Sequence, residues 1–124
     1  MTNSTLITGI SVLFIITVIA GIVLSLLGRP LNSALFNVHK LIGIGMVVLS
    51  VIAFVRLFKL ETLPEGPVKL LVIIAVISLV GLIATGGLLS FDKFSGKFIV
   101  ILHSISTVIA GFSIGILLFA FLKR

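Results

Sequence analysis

The chain holds two histidines, His39 and His103, three acidic residues and no cysteine among its 124 residues. Imidazole is a common ligand for metals and for haem iron. Both histidines fall inside long apolar runs, where an ionisable side chain is costly and marks a functional position by default. No carboxylate interrupts those runs, which argues against a proton-coupled carrier built on a membrane acid. Without cysteine there is no disulfide, thiolate metal site or iron–sulfur cluster. Any redox chemistry therefore belongs to a bound cofactor.

The elements that must position the two imidazoles follow from composition. The sequence is 60% hydrophobic and only 10% charged, which excludes an ordinary soluble domain. A membrane-spanning helix needs about 20 mostly apolar residues, and four such runs occur, at roughly residues 6–27, 35–58, 68–89 and 98–122. Breaks at 28–30 (GRP), 61–67 (ETLPEGP) and 90–96 (SFDKFSG) separate them. Backbone groups in hydrocarbon must be satisfied within their own segment, so the runs read as helices. The predicted fold is an all-α membrane protein: one domain over residues 1–124, a four-transmembrane-helix up-down-up-down bundle. The first run lacks the basic leader and cleavage site of a signal peptide and is read as a retained helix. The formal charge of +6 comes from lysines and arginines in ones and twos at helix ends. That is the pattern of interfacial anchors, not of a nucleic-acid surface.

Helices 2 and 4 match without a gap at an offset of 64, which carries His39 onto His103 and Lys59 onto Lys123. Helices 1 and 3 pair more loosely, Gly21-Ile22 with Gly81-Leu82, at an offset of 60. The chain thus reads as a duplicated helical hairpin. Helices 2 and 4 run parallel, and each histidine precedes the matching lysine by about 30 Å of helix at 1.5 Å per residue. Both imidazoles are therefore expected at one depth, near the membrane face opposite those lysines. Arg56, Lys59, Lys69, Lys123 and Arg124 lie on one side and Arg29, Lys40, Lys93 and Lys97 on the other. The small excess favours cytoplasmic termini and histidines toward the outer face.

Two imidazoles at one depth on two parallel helices are what a single bis-histidine haem b requires. Beside His39 the same helical face carries Gly43, Met46 and Ser50. Beside His103 it carries Thr107, Ala110 and Gly111, with Gly115 toward its edge. Small residues would let a flat porphyrin approach the backbone, although they also pack helices together in lipid. Ser104, Ser106 and Thr107 are available to hold a ring nitrogen, and Arg29, Lys40, Lys93 and Lys97 to pair with propionates. The alternatives are two interfacial imidazoles bonded to carbonyls or water, or a zinc or copper site. The latter wants further ligands, and only Asn37, Met46 or water are near.

The segment Phe36-Asn37-Val38-His39 with its Leu- and Gly-containing continuation, and Leu102-His103-Ser104, resemble the two ligand helices of the cytochrome b-561 family. The resemblance covers helices 2 and 4. It implies one haem held by His39 and His103 at the non-cytoplasmic side. Lys40 stands where that family usually has proline, and Ser104 is not followed by tryptophan. Helices 1 and 3 lack the histidines of the family's second haem, so the resemblance implies a one-haem relative, and ascorbate does not carry over as donor.

The expected function is single-electron transfer between a membrane or surface donor and an acceptor, a redox protein or a quinone. One haem near one face does not carry electrons across the whole bilayer, so a homodimer or larger membrane complex is an expected partner. Quinol oxidation would need a proton acceptor, and Asp92 is the only carboxylate on that side. The alternative from another class is a cofactor-free scaffold or accessory subunit. A transporter is disfavoured by the lack of a membrane carboxylate, with Thr85-Gly86-Gly87 the one candidate helix break.

Overall fold

A computed structural model describes residues 2–57, 66–94 and 96–122. They form four long helices, α1 (Asn3–Leu27), α2 (Ser33–Leu57), α3 (Pro67–Leu89) and α4 (Lys97–Leu122), with a short 3-10 turn at Asp92–Phe94 before α4. At 1.5 Å per residue the helices are about 35–39 Å long, enough to cross a hydrocarbon core of about 30 Å. Each is apolar enough to do so, and the chain is a multi-pass integral membrane protein of the all-α class. The observed ends lie within a few residues of the expected ones. Lys59, Lys123, Arg124 and most of the 61–67 break lie outside the described residues.

The ends are set by local chemistry. The Thr2 hydroxyl accepts from the Thr5 amide at the start of α1. At its other end Gly28 closes the helix with φ +70°, ψ −162°, a conformation that is essentially glycine's alone. Asn32 caps α2, its side-chain oxygen accepting from the Leu35 amide at 3.0 Å. Pro67 occupies the first turn of α3, where its missing N–H costs nothing. Helix α3 continues unbroken through Thr85-Gly86-Gly87 to Leu89, so the expected candidate break is not a break.

The chain divides into two compact units, Met1–Glu61 and Thr62–Arg124, each a hairpin of two antiparallel helices. In the first, a Cβ at Gly9 would meet Leu49, one at Gly45 would meet Leu13, one at Gly43 would meet Thr17 and one at Gly21 would meet His39. Positions 9, 13, 17 and 21 step down α1 every fourth residue and so share one face. Opposite them, 49, 45, 43 and 39 step the other way along α2. Small residues on this seam let the backbones approach, as lipid offers no hydrophobic drive to press helices together. In the second hairpin Gly81 faces Ser106 and Gly86 faces His103. Side chains such as Leu26, Phe98 and Phe112 are broadly exposed, as lipid-facing residues must be.

Hydroxyls within the helices bond to the carbonyl four residues earlier: Thr17 to Leu13, Ser50 to Met46, Ser78 to Ile74 and Ser104 to Val100. This internal bonding lets polar side chains sit in an apolar helix without seeking water. No buried side-chain nitrogen or oxygen lacks a partner among the described residues.

Candidate functional site

Each hairpin holds one histidine against its own neighbouring helix. His39, half-buried on α2, brings Nδ1 to 3.0 Å from the Thr17 carbonyl oxygen on α1. A Cβ built on Gly21 would lie only 3.1 Å from His39 Cε1. The geometry explains the glycine. The Thr17 carbonyl points along α1 toward residue 21, and any side chain there would lean back over it, since helix Cβ atoms tilt toward the N-terminus. Glycine leaves that oxygen open to an incoming imidazole.

His103 on α4 is held differently. Its Nδ1 lies 2.8 Å from the Thr85 hydroxyl on α3, and that hydroxyl lies 2.6 Å from the Gly81 carbonyl oxygen. With the Thr85 hydroxyl donating over the shorter contact to the Gly81 carbonyl, its oxygen accepts from His103 Nδ1–H. The Thr17 carbonyl can only accept, so His39 also carries a proton on Nδ1. Partner chemistry thus places a proton on Nδ1 of both rings.

The two arrangements differ in how the ring nitrogen reaches a backbone carbonyl. The glycine that faces the His39 ring is Gly21 and the glycine that faces the His103 ring is Gly86. A backbone carbonyl, of Thr17 or of Gly81, is the final acceptor in each hairpin. In the first it is reached directly over a glycine; in the second it is reached through a threonine hydroxyl. The looser offset of 60, pairing Gly21 with Gly81, is not the one the histidines use, because Gly81 faces Ser106 and the glycine beside His103 is Gly86.

Of the residues expected around His39, Gly43 shares its surroundings, facing the same Thr17 that receives the imidazole. Met46 and Ser50 are buried one and two turns farther along α2, where the Ser50 hydroxyl donates to the Met46 carbonyl. Thr107 donates to the carbonyl of His103 at 2.8 Å, and Ser104 donates to Val100. The holding residues are Thr17 and Thr85, on helices that carry no histidine. Ala110 is fully buried and Gly111 half-buried.

Arg29, Lys40, Lys93 and Lys97 are exposed. The Lys40 ammonium lies 5.4 Å from the centre of the Phe36 ring one turn earlier, within reach of a cation–π contact. The Asp92 side chain lies outside the described residues. No three His, Cys, Asp or Glu side chains gather into a metal site among the described residues.

The fold and the site define a class, a multi-pass membrane protein of two helical hairpins, each holding one imidazole by its Nδ1. Comparison with protein-family models, curated proteins and solved structures finds no match for the chain.

Proposed function

We propose that the chain is a membrane cytochrome b that holds one haem b through His39 and His103 and passes single electrons to or from a protein or quinone partner. The observation that supports this reading is the state of the two imidazoles. Each is oriented by a hydrogen bond from Nδ1–H to the neighbouring helix, the arrangement that fixes the tautomer and raises the basicity of a ligating histidine. His39 and His103 would hold the haem, and the haem would supply outer-sphere one-electron transfer. The chain contributes the rest: two pre-oriented ligands, small residues beside them, and apolar helices that keep water away. The resemblance of residues 36–39 and 102–104 to the cytochrome b-561 ligand helices supports the same reading. In this reading the termini are cytoplasmic, the histidines lie toward the outer face, Arg29, Lys40, Lys93 and Lys97 serve the propionates or the lipid headgroups on that side, and a homodimer or larger complex completes the electron path.

The test is the visible spectrum of detergent-purified protein from haem-replete cells, oxidised and dithionite-reduced, beside His39→Ala and His103→Ala. Sharp reduced bands of a low-spin b haem, lost in either variant, are the expected result. Colourless wild-type protein overturns the reading.

A second reading has its own observation. The same hydrogen bonds tie α1 to α2 and α3 to α4, which is how polar side chains act as glue between helices in lipid. On that reading the chain is a cofactor-free scaffold or accessory subunit. The two histidine substitutions would then loosen the hairpins and remove no chromophore.

A further inference from the structure

We infer that Thr85 is the positioning residue for His103, a hydroxyl relay that passes the imidazole's Nδ1–H bond on to the Gly81 carbonyl and so holds His103 differently from His39. The inference rests on the haem reading for its consequence at iron, but the relay itself is a property of the haem-free chain. Three observations carry it. The Thr85 hydroxyl lies 2.6 Å from a carbonyl and 2.8 Å from His103 Nδ1, so that with its proton donated over the shorter contact its oxygen accepts. Thr85 is itself buried on α3. In the other hairpin His39 bonds to the Thr17 carbonyl without an intermediary.

The relay does two things. It selects the Nδ1–H tautomer of His103, and it sets how strongly that proton is pulled. A stronger pull on Nδ1–H leaves more electron density on Nε2 and stabilises the more positively charged ferric state. His39 answers to a backbone carbonyl, which no side-chain substitution removes. His103 answers to a side chain, so a single substitution at Thr85 can change the pull on its Nδ1–H.

The experiment uses the full chain with 15N-labelled histidine, first without haem and then loaded. In the haem-free wild type both rings are expected as the Nδ1–H tautomer. Thr85→Val, which keeps the branched shape and removes the hydroxyl, should cost His103 its single tautomer and leave His39 unchanged. Thr85→Ser should restore it. In the loaded protein Thr85→Val should shift the reduction equilibrium about tenfold toward the ferrous form, a rise of about 59 mV for one electron, and Thr85→Ser should return it. A packing role alone would lower stability without moving the tautomer or the potential.

An Nε2–H tautomer for His103 in the wild type overturns the relay whether or not any variant folds. So does a folded Thr85→Val protein with unchanged tautomer and potential. If the wild type takes up no haem, the cytochrome reading falls and the consequence at iron falls with it, while the haem-free spectra still decide the relay.

Discussion

Substituting Gly21 with alanine should loosen the first hairpin through one identifiable contact. The added Cβ would sit 3.1 Å from His39 Cε1, whereas carbon atoms in good contact are about 3.5–4.0 Å apart. The ring must retreat by about 0.4 Å or more. Its Nδ1 bond to the Thr17 carbonyl, 3.0 Å at present, would then stretch to about 3.4 Å, beyond the range of about 2.7–3.2 Å for a sound N–H···O bond. Losing such a bond costs about 1 kcal/mol, and measured interhelical hydrogen bonds in membrane proteins average about 0.6 kcal/mol. With some overpacking added, the expected loss is about 1–2 kcal/mol. Gly86→Ala is the matched control. Its Cβ would lie 3.4 Å from His103 Cε1, nearly ordinary contact, so it should be neutral or slightly stabilising through better helix propensity. The assay is equilibrium unfolding of the haem-free protein in mixed micelles, with Gly21→Ala measured in wild-type and His39→Ala backgrounds. The cost should vanish once the imidazole is gone. An equal cost in both backgrounds, or a Gly86→Ala protein as damaged as Gly21→Ala, would refute the clash as its origin.

Other substitutions probe the frame around the site. Ala110 is fully buried, so Ala110→Leu should destabilise by about 1–3 kcal/mol through overpacking, while Phe112→Leu at an exposed neighbouring position should change little in the same unfolding assay. Gly28→Ala should cost about 1–3 kcal/mol, because φ +70° with ψ −162° suits glycine only; a neutral result would mean that the turn adopts another conformation. Ser50→Ala should be close to neutral, since its hydroxyl bonds within its own helix to Met46, and a loss above about 1 kcal/mol would point to a contact outside α2. Expressing the two units as separate chains, cut between Glu61 and Thr62, should give two inserted helical hairpins by membrane fractionation, with any haem spectrum requiring both; a single half that binds haem alone would contradict ligation by one histidine from each.

Much of the frame was legible in the residues. Lipid imposes one strong rule, that backbone groups be satisfied within the segment, and long apolar runs obey it only as helices. The runs, their breaks, and the matched placement of His39 and His103 in α2 and α4 follow from counting along the chain. The residues that hold the imidazoles do not. Ser104, Ser106 and Thr107, near His103 in sequence, were the evident candidates, yet a hydroxyl on a helix reaches its own carbonyl four residues back more readily than a ring on the same helix, and Ser104 and Thr107 do just that. The acceptors come from the antiparallel neighbour, Thr17 on α1 and Thr85 on α3. Which residue of α1 lies opposite His39 depends on how the two helices slide and rotate against each other. That is decided by where glycine and threonine let two backbones approach, and an apolar face alike on every side gives the sequence no period from which to read it. Thr85-Gly86-Gly87 stood out as an interruption, but only the packed hairpin turns Thr85 into an acceptor and Gly86 into a seat for His103. Sequence determined that this chain has two imidazoles at matched positions in two membrane-length helices; the tertiary packing decided which oxygen each Nδ1 answers to, and therefore that Nδ1 carries a proton.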